Sequence, residues 1–170
     1  MKPEAKDLTL NNSFKLRSKA LNYYEFNSNE QLSNFFNSSI NEEDLSIVGE
    51  GTNSIFPSVF QGTVLRSTNE SIIETLNNDY TITVGAGCNW DHLVDECVNN
   101  KLFGLENLAG IPGSVGAAPI QNIGAYGKEL SQFLTEVEVY DLKEKIFKTL
   151  SNEECKFGYR TSIFQAHKEF

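Results

Sequence analysis

Apolar residues recur along this chain in two rhythms, one helical and one strand-like. After SNEQ at 28–31, a capping box, Leu32, Phe35, Phe36 and Ile40 follow at helical spacing. That predicts a helix over 29–39 with one buried face. Asn89 stands where a cap belongs for a second helix, over 90–100, whose buried face is Leu93, Val94, Cys97 and Val98. Leu8, Leu10, Phe14 and Leu16 alternate around TLNNSFKL and predict a short strand or extended arm. LSIV at 45–48, TVLRS at 63–67 and YTITVGA at 80–86 read as strands. VEVYD at 137–141 and KIFKTL at 145–150 alternate about a polar turn and read as a hairpin. A second capping box, SNEE at 151–154, opens a helical turn into CKFGYRTSIF. Helices and strands interleave while the late strands look antiparallel, so the fold class is α+β. A boundary near 66–72 divides the chain into subdomains of 1–68 and 69–170.

The pattern is interrupted twice by glycine-rich stretches. Directly after LSIV comes GEGTNS, in which Gly49 and Gly51 let the main chain approach a bulky group. Its successive amides, with Thr52 and Ser54 as further donors and Glu50 and Asn53 between them, can form an anion-binding nest. The same residues equally describe a plain tight turn. They match neither the dinucleotide fingerprint nor the phosphate loop of nucleotide hydrolases. The second stretch, 108–127, has no charged side chain, although 22% of the chain is charged, and it holds five of the twelve glycines. Gly110, Gly113 and Gly116 recur every third residue around Ile111, Pro112, Ser114 and Ala117. Gln121 and Asn122 add neutral hydrogen bonds before Gly124, Ala125, Tyr126 and Gly127. Such a segment makes a thin uncharged wall dense in amide donors. Alone it also fits close packing of two elements; two such loops together favour a dinucleotide with its diphosphate on main-chain N–H groups.

A formal charge of 14 minus 23, or −9, argues against binding nucleic acid through phosphate neutralisation. No apolar run reaches the length of a membrane span, no secretory signal is visible, and three cysteines without CxxC spacing suit reduced thiols. The compartment expected is the cytoplasm. Cys88, His92 and Cys97 lack a fourth ligand, so no metal site is expected.

GEGTN, the GCNW before the second helix, GLENLAGIPGSVGAAPIQNIGAYG and CKFGYRTSIF resemble, in order and spacing, the UDP-N-acetylenolpyruvoylglucosamine reductases, also called UDP-N-acetylmuramate dehydrogenases. The likeness runs over roughly 10–165. It implies a two-subdomain FAD-binding fold of the vanillyl-alcohol-oxidase (PCMH) type. FAD would be held noncovalently between GEGTN and GIPGSVG, with NADPH as hydride donor. The substrate implied is UDP-N-acetylglucosamine enolpyruvate, reduced to UDP-N-acetylmuramate for peptidoglycan. On this likeness Arg160 matches the motif arginine beside the substrate carboxylate, where a fixed guanidinium steadies the charge that hydride addition creates. Without it, Arg160 reads as a surface ion-pair residue. Tyr126 is open between the flavin or substrate site and packing, Tyr159 would help shape the substrate pocket, and Glu50 is open between a ribose hydroxyl and water. The reductases continue beyond FGYR into a C-terminal substrate domain carrying a serine proton donor and a glutamate, neither assignable here. A separately supplied domain is one partner this leaves open. Two other readings stay open: another flavin oxidase of the same fold, and an inactive binding or interaction module.

Overall fold

The structure is a computed structural model and describes residues 3–38, 44–75 and 81–167. Four strands form the first sheet: β1 (Glu4–Asp7), β2 (Lys19–Phe26), β3 (Leu45–Val48) and β4 (Val59–Ser67), in the order β1-β2-β4-β3. β2 and β3 both run parallel to β4, with Tyr23 opposite Val64 and Leu45 opposite Thr63, while β1 is antiparallel to β2. Helix α1 (Asn29–Asn37) crosses between β2 and β3, as parallel strands require. Ser28 caps it by accepting from the Gln31 amide, and the Gln31 side chain returns to the Asn27 amide. The helix ends at Asn37 with Ser38 as its cap, two residues inside the expected limit of 39; Ile40 and position 39 lie outside the described residues.

The second half opens with an antiparallel pair, β5 (Ile72–Thr75) and β6 (Thr81–Val84), followed by α2 (Trp90–Asn99). Short 3-10 helices at Glu106–Leu108 and Val115–Gln121 carry the glycine-rich segment. A two-residue hairpin of β7 (Gly124–Ala125) and β8 (Lys128–Glu129), with a 3-10 turn at Leu130–Gln132, follows. β9 (Glu136–Asp141) and β10 (Ile146–Ser151) pair antiparallel, and α3 (Ile163–Ala166) closes the described chain. The SNEE capping box forms as expected. The Glu154 carboxylate accepts from the Ser151 amide and hydroxyl, which holds it below the usual carboxylate range.

Three apolar clusters hold these parts. Trp90, Leu93, Val94 and Cys97 of α2 pack with Cys88, Leu108, Ala118, Ile123 and Leu130. Leu8, Ala20, Tyr23, Val48, Phe56 and Val64 fill one side of the first sheet. Phe35 and Phe36 of α1 pack with Leu65 and with Tyr140 of β9, so the late hairpin shares a core with the first sheet across the boundary expected near 66–72. Removing one such aromatic side chain typically costs about 3–5 kcal/mol.

Two expectations are corrected. Val98 is exposed rather than buried, because only Leu93, Val94 and Cys97 of α2 turn inward with Trp90. TLNNSFKL is neither strand nor arm. It is a looped turn around buried Asn12, whose amide donates to Leu8 O and Leu16 O and whose oxygen accepts from Leu16 N, leaving Leu10 and Phe14 exposed.

Candidate functional site

The two glycine-rich stretches meet. GEGTNS leaves the carboxyl end of β3 as the first part of the crossover to β4, so it lies where open parallel sheets place ligands. Gly51 turns the chain at φ +76°, and a Cβ there would sit 2.7 Å from the Asn11 carbonyl carbon. The Asn12-centred turn is therefore pressed onto the loop, and Ser13 fastens it by donating to Thr52 O at 2.6 Å. Ser54 N donates to Gly51 O. Among the described residues, the amides of Glu50, Gly51, Thr52 and Asn53 find no acceptor.

The second loop is built onto the amino end of α2. Trp90 N donates to Gly113 O at 2.9 Å, Val115 N to Cys88 O at 2.8 Å, and the Trp90 indole to Leu108 O at 2.8 Å. Gly110 N donates to the Asp91 carboxylate at 2.6 Å, and Gly116, with its missing Cβ against Ala86, donates to Ala86 O. Among the described residues, the amides of Ile111, Gly113 and Ser114 find no acceptor. Asn89 ties the loops together. Its oxygen caps α2 at His92 N, and its amide donates to Glu50 at 2.6 Å. Thr52 Oγ1 also donates to Pro112 O at 3.3 Å.

At the meeting point stands Ser114. It is 4% exposed, and its hydroxyl has no hydrogen-bond partner among the described residues. A Cβ on Gly49 would run into that hydroxyl and lie 3.2 Å from Ser114 Cβ and 3.3 Å from Ala117 Cβ. Glycine at 49 thus lets Ser114 and Ala117 of the second loop pack directly against the start of the first. An orphaned hydroxyl beside unspent amides, with no cation required, has the donor chemistry of a diphosphate cradle.

Other expected residues sit differently. Asn122, 1% exposed at φ +45°, spends its amide on Glu129 and Gly158 O and its oxygen on Ser131 N. Its side chain holds the loop's shape. Gly124 and Ala125 form β7, and Gly124 O accepts from Arg160 Nη2 at 2.7 Å. Arg160 occupies the second corner of a tight turn closed by reciprocal Gly158–Thr161 bonds, at φ +54°, and Tyr126 sits at φ +50° on the β7–β8 tip. The Arg160–Gly124 bond joins these two tips, from which Tyr126 (88% exposed) and Tyr159 (84%) stand into solvent.

Burial pushes the Cys88 and Cys155 thiols up, with nearby carboxylates adding to it, so both stay protonated. No disulfide joins Cys88, Cys97 and Cys155. No described helix is long and apolar enough to cross a membrane. Asn89, Trp90 and Asp91 were missed as organisers of both loops; the GCNW motif before the helix was the available signal.

The family described as "FAD binding domain" matches residues 23–150. The chain is 44% identical over 154 residues to the UDP-N-acetylenolpyruvoylglucosamine reductase of Pseudoalteromonas translucida, covering 90% of this chain and 45% of that protein. The same-named protein of Polynucleobacter asymbioticus is 40% identical over 175 residues, 97% of this chain and 50% of the relative. A crystal structure of UDP-N-acetylenolpyruvylglucosamine reductase (MurB) from Thermus caldophilus superposes with a TM-score of 0.72 at 26% identity, over 95% of this chain and 57% of that one. The chain spans about half the length of the curated relatives it matches. It belongs to the FAD binding domain family and corresponds to the N-terminal part of the UDP-N-acetylenolpyruvoylglucosamine reductases.

Proposed function

We propose that this chain holds FAD noncovalently between 49–54 and 110–117, as the FAD-binding part of an NADPH-dependent reductase acting on UDP-N-acetylglucosamine enolpyruvate. The product is UDP-N-acetylmuramate, a precursor of peptidoglycan, and the compartment that fits is the cytoplasm. One observation carries the FAD reading. The Ser114 hydroxyl and the amides of Glu50 to Asn53, Ile111 and Gly113 lie along two touching loops and donate to no described residue. When bound, FAD supplies the acceptance and delivery of a hydride. The side chains of Glu50 and Asn122 serve the cradle from behind, one fastened to Asn89 and the other to three internal partners.

In this reading the protein's own part in the chemistry falls to Arg160. Hydride addition to an enolpyruvyl group drives negative charge towards its carboxylate, so a preset guanidinium nearby helps the transition state more than the ground state. Gly124 O fixes one nitrogen of that guanidinium and leaves its other donors for substrate. Tyr126 and Tyr159, standing beside it, line the substrate's approach. The subdomains proposed are 1–68 and 69–170, with substrate closure and proton donation contributed by a C-terminal domain like that of the longer relatives.

The test is a titration of the purified chain with FAD, followed by an NADPH-oxidation assay with and without the enolpyruvyl nucleotide sugar. Saturable uptake, with a yellow complex, is expected, along with poor turnover by this chain alone. A colourless chain that shows neither heat nor a melting shift with excess FAD would refute the reading.

A further inference from the structure

The β9–β10 hairpin grips α1 at both ends, with charges of the sign each end calls for. At the amino end, Glu138 of β9 accepts from the Asn29 side chain at 2.9 Å. At the carboxyl end, Lys145 Nζ donates to Phe36 O at 3.1 Å. The last turn of α1 has no basic residue of its own, so this ammonium from another element meets a carbonyl that the helix leaves unpaired. Between the two grips, Tyr140 stacks on Phe36 with centroids 5.3 Å apart.

Lys145 holds this position against its own backbone preference. Its φ is +57°, a region that favours glycine or asparagine. The turn is prepared for it: Asp141 accepts from the Lys143 and Glu144 amides and from Lys148, and Lys145 N donates to Asp141 O at 2.7 Å. Asn152 binds the foot of the hairpin to Ser131 O and Leu134 O, and Ser131 N donates to Asn122, the cap of the 3-10 helix that follows Ser114. On the other side, the α1 aromatics pack on Leu45 and Leu65, and β3 runs from Leu45 into Gly49. The hairpin is therefore a continuous brace from one glycine loop to the other.

We propose that this hairpin is a clasp that sets the gap between the two loops, and that Lys145 is a positioning residue for FAD. The inference rests on the FAD reading above. Lys145→Gly removes the ammonium while relieving the left-handed backbone, and Lys145→Arg keeps a cation within reach. FAD affinity is expected to weaken about fivefold in Lys145→Gly, the scale of one helix-end charge, and to be largely restored in Lys145→Arg. In the FAD-free chain, amide hydrogen exchange at 49–54 and 110–117 is expected to quicken in Lys145→Gly, without a matching fall in the global unfolding free energy. Equal FAD affinity in all three proteins overturns the clasp, as does loop exchange that changes only in step with global stability. If the unsubstituted chain takes up no FAD, the FAD reading fails, and the exchange measurement on its own still decides the clasp.

Discussion

Two hydroxyls in this molecule are buried without a hydrogen-bond partner among the described residues, Ser114 Oγ and Tyr140 Oη. Their surroundings give them opposite meanings. Around Ser114 lie further unspent donors, a glycine whose missing Cβ lets the two loops pack together, and fastenings from behind by Asn89, Asp91 and Ser13. Around Tyr140 lie rings: Phe36 stacked at 5.3 Å and Phe147 edge-on at 4.9 Å. One orphan belongs to a set of donors that have no acceptor among the described residues. The other is the polar tip of a ring chosen for its packing area. An unsatisfied polar atom therefore signals a ligand only where its neighbours are unsatisfied too.

The harshest test of the first region is Gly51→Ala. The new Cβ would be driven into the Asn11 carbonyl and would lock a residue at φ +76° into strain. Unlike a flexible side-chain end, that backbone cannot step aside. A loss of about 3 kcal/mol in urea unfolding is expected, together with loss of FAD uptake. Unchanged stability would show that the turn at 8–18 does not brace the loop.

The comparison itself is tested by removing each hydroxyl in turn. Ser114→Ala is expected to leave the FAD-free chain as stable as before, or slightly more so, and to weaken FAD about tenfold, roughly the 1.4 kcal/mol of one hydrogen bond to a charged acceptor. Tyr140→Phe keeps both ring contacts and relieves an unpaid desolvation. It is expected to raise stability by about 1 kcal/mol with FAD affinity unchanged. Thermal melts and parallel FAD titrations separate the two. If both substitutions moved FAD affinity alike, the distinction between a donor set and a packing compromise would be lost.

The two glycine-rich loops were more legible in the sequence than the frame around them. GEGTNS and 108–127 stood out because loops that pack main chain against main chain must be written in glycine and small residues, and the residues themselves are the signal. α1, α2 and the β9–β10 hairpin were legible because their periodicity is intact. β2 was not, because a register shift between Ala20 and Asn22 breaks its alternation, so that Ala20 and Tyr23, at an odd spacing, join the same cluster. The Leu8–Leu16 alternation misled because Asn12, a polar residue, is the buried centre there, and of the four apolar residues Leu8 turns in while Leu10, Phe14 and Leu16 face out. The grip of Lys145 on α1 was invisible for another reason. It joins residues far apart in the chain, and a helix whose last turn has no basic residue does not say which element will supply one.

The smallest expected effect concerns acid, and it locates charge in the clasp rather than in the glycine-rich loops. The Asp141 carboxyl is held below the usual carboxylate range, chiefly by its bond to Lys148 and next by the Glu144 amide. A folded-state pKa below the unfolded one means that its contribution is complete above the ordinary carboxylate value of about 3.9 and fades as pH falls through the lower folded value. Lys148 runs the other way. Its bonds to Asp141, then Glu144, raise its pKa, so its contribution is complete below the ordinary lysine value and is lost only as pH rises through the higher folded one. The pair is therefore intact across neutral pH, and acid attacks it from the Asp141 side. Melting temperatures followed from pH 7 to pH 2 should fall below about pH 4, and the fall should be shallower in Asp141→Asn, which starts lower at pH 7. A residual slope is expected from Asp7 and Glu154, which Thr9 and Ser151 hold low by the same kind of bond. An acid slope undiminished in Asp141→Asn would move the sensitivity out of the hairpin, and the clasp would then owe its stiffness to the Tyr140 and Phe36 rings rather than to its charged turn.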